Sequence, residues 1–170
     1  TGIVGLVSSL LYNRAIVLPK EDKDALSLFF ASLFFNFLFF IVCIASVYFF
    51  YDTLNKWFLG GLFLVLLFPL RVLQIGIFQA IEQISVRIKR YKANAYIRSS
   101  NAFITAGLQL SNHLIYSIPG GLIIGKVISD IIATLSFLFS SQDFFKKHIE
   151  QINLNSIIYT IKEYIVFPKY

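Results

Sequence analysis

From Ala25 to Tyr51 the chain runs 27 residues, ALSLFFASLFFNFLFFIVCIASVYFFY, without one charged side chain. As helix that stretch would be about 40 Å long, whereas a bilayer's hydrocarbon core needs only about 20 residues to cross. A run this apolar either spans a membrane or forms the centre of a very greasy soluble bundle. Composition favours the membrane. Hydrophobic residues make up 57% of the chain, charged residues 14%, and the mean hydropathy is +0.73. Soluble domains are nearer 45–50% apolar and about 25% charged.

The other apolar stretches fit the same reading. Residues 1–12 form a run too short to cross a bilayer, and the chain contains no methionine. The expectation is therefore a fragment that opens inside a transmembrane helix. A signal peptide is not expected, because no basic region precedes this run and no small-residue cleavage site follows it. Four full spans are expected at about 25–51, 57–86, 94–118 and 121–139, making residues 1–142 one all-α membrane bundle. Residues 143–170 carry too much charge to span and read as an amphipathic linker lying at the interface. The fourth span opens with Gly121-Leu-Ile-Ile-Gly125, a small-xxx-small pattern that lets helices approach closely. The single Cys43 excludes a disulfide framework and reads as a small hydrophobe within the first span.

Lys and Arg alternate from loop to loop. Residues 13–24 hold Arg14, Lys20 and Lys23. The third connection, VRIKRYKANAYIR, holds Arg87, Lys89, Arg90, Lys92 and Arg98, and the C-terminal segment holds Lys146, Lys147, Lys162 and Lys169. The intervening loops hold only Lys56, so the two sides stand at 12 against 1. Such bias places the basic loops 13–24, 87–93 and 143–170 in the cytoplasm. The net charge of +6 is then a matter of topology, and RIKRYK is a juxtamembrane loop rather than a nucleic-acid site.

Polar residues inside the spans carry the functional signal. Arg71, Gln74, Phe78, Glu82 and Ser85 fall within an arc of about 80° on the second span. Arg98, Asn101, Thr105, Gln109, Asn112 and Tyr116 form a similar stripe on the third, with His113 at its edge. Lys126 and Asp130 are four apart on the fourth span and can pair. Ser32, Asn36 and Cys43 share one side of the first. Charge in hydrocarbon costs at least about 2.5–3.5 kcal/mol, so these groups should face protein or a wet cavity. Asn36, Thr105 and Asn112 read as hydrogen-bonding glue between helices. Arg71, which follows the helix-kinking Pro69, reads either as a cavity cation or as the partner of a carboxylate such as Glu82 or Asp130. The Lys126–Asp130 pair is open to the same two readings. His113 reads as a hydrogen-bonded structural histidine, with a proton relay as the alternative. No nucleophilic triad, metal-ligand cluster or phosphate-binding glycine loop is present, so neither enzyme activity nor a cofactor is expected.

Three stretches carry a resemblance. YNRAIVLPKEDKDA, GIFQAIEQISVRIKRYKANAYIR and the closing EYIVFPKY are similar in order and spacing to helices two to six of bacterial polysaccharide flippases. These are the Wzx-type O-antigen and capsule translocases of the multidrug/oligosaccharidyl-lipid/polysaccharide exporter superfamily. Two positions depart from the family pattern: Asn13 stands where an acidic residue is usual, and Asn101 where Gln is common. The resemblance implies a polytopic helix bundle forming most of one lobe of a 12- to 14-helix, MATE-like transporter. It implies translocation of undecaprenyl-diphosphate-linked oligosaccharide across the inner membrane by alternating access, with H⁺ or Na⁺ as the coupling ion and membrane lipids as surroundings. Arg71 would then attract the diphosphate or an acidic sugar, and Gln79, Glu82, Asn101 and Gln109 would line the path. A cation-coupled multidrug exporter of the same superfamily is the alternative within transport. A membrane glycosyltransferase or polymerase is the alternative outside it, and would need a large outer loop that this chain lacks between its spans.

Overall fold

The structure, a computed structural model, describes residues 9, 12–51, 53, 62–112, 121–152 and 154–164. Among these every regular element is helical. A short α1 (Tyr12–Ala15) leads through a turn into α2 (Asp22–Phe49), followed by α3 (Leu62–Arg87), α4 (Tyr91–Ser111) and α5 (Gly121–His148). A 3-10 turn at Ile149–Gln151 then joins α6 (Leu154–Glu163). Two of these helices, α2 and α5, are 28 residues each and long and apolar enough to cross a membrane. At 26 and 21 residues, α3 and α4 are about 39 and 32 Å long, but both carry the polar stripes.

The four long helices pack as neighbours in the order α2, α3, α5, α4, with α6 doubling back onto α2. One end of the bundle gathers α1, the α3–α4 turn and the tail of α5, and so the basic loops. The apolar core lies toward this basic end. Tyr12, Ile16, Leu26, Phe29, Ile81, Ile84 and Phe137 are buried there, with Tyr12 stacked on Phe35 at 5.3 Å between centroids. Beyond Asn36, α2 leaves this core, and Phe37, Leu38, Ile41, Val42, Tyr48 and Phe49 are exposed. Ile128, Ile131, Leu135 and Phe139 are exposed on α5, while Asn36, Asn101, Ser129 and Asp130 are buried. Exposed apolar faces around buried polar groups invert the pattern of a soluble domain.

Two features differ from the expected boundaries. The helix that carries the expected fourth span, α5, runs nine residues past 139, to His148. No Gly or Pro interrupts the chain there, Phe144 and Phe145 pack against the core, and Lys146, Lys147 and His148 suit the negative end of the helix dipole. The described part of the linker, α6, is helical but lies against α2, with Thr160 buried and the Tyr12 hydroxyl donating to the Ile161 carbonyl at 3.4 Å.

The turn from α3 to α4 takes only Ile88, Lys89 and Arg90. Lys89 N–H donates to Val86 O (2.9 Å) and Arg90 N–H to Ser85 O (3.2 Å), the paired bonds of a Schellman motif. Lys89 holds the left-handed position, φ 59°, that glycine usually fills. This tight reversal sets α4 antiparallel to α3.

Close helix approach depends on small residues. A Cβ on Gly125 would come within 3.2 Å of the Gln109 backbone nitrogen, and one on Gly121 within 2.9 Å of the Asn112 Cβ. The small-xxx-small pattern therefore seats α5 against α4. Gly76 does the same for α2 and α3, since a Cβ there would collide with the Asn36 amide.

Candidate functional site

Three helices meet at one carboxylate. Asp130, on α5, is nearly buried and accepts hydrogen bonds from three side chains. The Arg71 Nη2 donates to Oδ2 at 2.5 Å, while Lys126 Nζ and Asn101 Nδ2 both donate to Oδ1, at 2.6 and 2.8 Å. Arg71 comes from α3, Asn101 from α4 and Lys126 from one turn earlier on α5. The second arm of Arg71, Nη1, donates to Gln74 Oε1 at 2.8 Å, and Gln74 Nε2 reaches across to the Val127 carbonyl at 2.6 Å.

Local sequence explains each arm. Arg71 and Gln74 are three apart, and Lys126 and Asp130 four apart, so each pair shares a helix face. Pro69 lies inside α3 two residues before Arg71 and removes one backbone hydrogen bond at that point. Two cations facing one anion leave the cluster with a surplus of one positive charge. Lys126 is the open member: its side chain is 39% exposed, against 13% for Arg71 and 7% for Asp130.

The remaining stripe residues bind helix to helix. Thr105 and Ser129 hydroxyls lie 2.6 Å apart, Gln109 Nε2 donates to Leu122 O at 2.9 Å, and Asn112 Nδ2 to Gly121 O at 3.3 Å. This column seams α4 to α5. Asn36 Nδ2 donates to Leu73 O at 2.9 Å and joins α2 to α3. Phe78 packs edge-on against Phe137.

Toward the basic end, Glu82 is buried and paired with Arg98, and Ser85 bonds Asn94. Gln79 is not brought to the Asp130 cluster; its Oε1 accepts from Asn13 Nδ2 at 2.9 Å. The angle of Gln79 on the helix, about 80° from Arg71, turns it toward α1. His113 lies outside the described residues.

A second junction at the basic end was not legible in the sequence. The Arg87 guanidinium donates to Pro19 O at 2.7 Å, to Ile16 O and Val17 O at 3.4 Å each, and to Asp22 Oδ1 at 3.0 Å. His148 Nε2 lies 3.7 Å from the other oxygen of Asp22. One arginine thus pins the 16–20 turn to the end of α3. Spacing gives no hint of this, because the partners are carbonyls about 70 residues away.

Between α4 and α5 lies a cleft of about 70 Å³, bordered by Tyr96, Asn101, Ile104, Ile132 and Ser136. It has room for water but not for a sugar or a diphosphate, whose sites run to hundreds of cubic ångströms. The polar stripes expected to line a broad cavity are here satisfied largely by one another. Among the described residues no group of three His, Cys, Asp or Glu could hold a metal ion. Comparison of the chain with protein-family models, curated proteins and solved structures finds no significant match.

Proposed function

We propose that this chain contributes several helices to one lobe of a multi-pass inner-membrane flippase with a 12- to 14-helix, MATE-like architecture. Its cargo is an oligosaccharide linked to undecaprenyl diphosphate, moved by alternating access. The basic end faces the cytoplasm. Arg71, nine residues from the start of α3, then lies about 14 Å from the periplasmic end of that helix. The observation that carries this reading is the surplus cation: Arg71 and Lys126 share a single carboxylate inside a bundle whose outer faces are largely apolar. An unneutralised charge is costly at membrane depth, and an anionic cargo supplies the missing partner. The guanidinium fork and the ammonium are both suited to phosphate oxygens. Gln74, Asn101 and Gln109 then orient helices around that site, and Glu82 with Arg98 closes its cytoplasmic side.

Export of glycan, measured beside membrane abundance, tests the proposal. Arg71→Ala is expected to abolish export while the protein still accumulates, because Asp130 retains Lys126 and Asn101. Arg71→Lys is expected to keep part of the activity, since charge remains but the fork is lost. A purely structural Arg71 gives a different result. The protein disappears from the membrane, and removing Asp130 as well restores it. Normal export by Arg71→Ala rejects the binding role.

A further inference from the structure

We infer that Asp130 is a built-in stand-in for the cargo's phosphate, holding the donors of Arg71 and Lys126 until an anionic headgroup displaces it. This rests on reading Arg71 and Lys126 as an anion site. The carboxylate presents its two oxygens as a phosphate would: Oδ2 to Arg71 at 2.5 Å, Oδ1 to Lys126 at 2.6 Å. Both contacts are charge-assisted, the type an incoming diphosphate would make with the same two side chains.

The hold is incomplete in a way that favours exchange. Arg71 does not grip Asp130 with both arms; its Nη1 is spent on Gln74. A fork divided between a carboxylate and a neutral amide is weaker than a bidentate pair. Lys126 is the exposed member, so an anion can engage it first and draw Arg71 afterwards. Once displaced, Asp130 keeps the Asn101 amide as a partner. The other buried carboxylate on these faces, Glu82, is taken by Arg98 and lies eleven residues along α3 from Arg71.

The arrangement serves both states of a carrier. When the site is empty, Asp130 spares Arg71 the cost of a buried unpaired charge. When the site is filled, the nearby carboxylate repels the diphosphate and speeds its release, the kind of step that limits turnover in many enzymes. Asp130 is therefore a positioning residue that trades affinity for exchange.

The test is equilibrium binding of undecaprenyl diphosphate to the purified protein in lipid nanodiscs. Asp130→Asn is expected to bind about tenfold tighter than wild type, the scale of one charge-assisted hydrogen bond regained, and to export more slowly. Lys126→Gln/Asp130→Asn keeps the cluster's net charge at +1 and guards against loss of folding in the single variant. Compared with Lys126→Gln alone, which lacks the same ammonium, it is expected to bind tighter, because Arg71 is freed. Asp130→Glu, which retains the carboxylate, is expected to stay near wild type. Equal or weaker binding by the double variant than by Lys126→Gln overturns the stand-in role. If Arg71→Ala still abolishes wild-type binding in that event, the anion site survives and only the role of Asp130 falls. Binding indifferent to Arg71 overturns both.

Discussion

At the basic end, α1, α2, α3 and α5 meet through Tyr12, Leu26, Phe29, Ile81, Ile84 and Phe137, with rings stacked and edge-packed. Toward the other end, α3, α4 and α5 meet through Arg71, Asn101, Lys126 and Asp130, with Thr105 and Ser129 extending the contact. The first junction has an apolar centre, bordered by the polar contacts of Arg87, Glu82 with Arg98, and Asn13 with Gln79. The second consists of directional bonds, each of which could be made to a ligand instead. Inside a lipid phase apolar burial itself drives little helix association, so shape fit at the centre of the first region adds to its bordering bonds, while the second rests on hydrogen bonds. The comparison teaches that one half of the bundle is centred on packed rings and aliphatic side chains and the other on a charged cluster; on the proposed function, only the second exchanges partners.

Substitutions can break or sharpen that contrast. The largest effect on assembly is expected from Phe137→Ala, which removes a fully buried ring from between α3 and the core. Loss of its contacts and the cavity left behind should cost about 2 kcal/mol or more, read as a lower melting temperature in detergent. Affinity for a diphosphate lipid should be unchanged among the molecules that remain folded. A smaller effect is expected from Thr105→Val, which deletes the bond to Ser129. Interhelical hydrogen bonds in membranes average about 0.6 kcal/mol, so the melting temperature should barely move. If Thr105→Val proved as damaging as Phe137→Ala, the two halves would not differ in the way described.

How far the sequence announces these features depends on the range of the interaction. Lys126 and Asp130 were legible as a pair because four residues bring side chains together on any helix. The bridging roles of Asn36, Thr105 and Asn112 were also legible, since an isolated amide or hydroxyl in an apolar span needs a partner. Which carboxylate takes Arg71 was not: Glu82 shares its helix face, yet Asp130, on another helix, is the partner. That choice depends on the register of α3 against α5, which rests on contacts between residues far apart in sequence, such as Gln74 Nε2 donating to the Val127 carbonyl. The end of α5 was not legible, because polarity rises after Ser140, whereas helices stop at breakers and lost packing, and neither occurs before His148. Arg87 counted only as a basic loop residue until the carbonyls of Ile16, Val17 and Pro19 were seen around it.

The account's central claim is that the bundle spans the membrane with its basic end in the cytoplasm, placing Arg71 and Asp130 in the outer half. Single cysteines at positions 55, 92, 119 and 147, in a Cys43→Ser background, can be labelled with a membrane-impermeant maleimide on spheroplasts. The expected result is labelling at 55 and 119 only, with 92 and 147 reacting after the membrane is opened. Labelling of position 92 from outside would contradict the account, because it would invert α3 and α4 and carry the anion site to the cytoplasmic half.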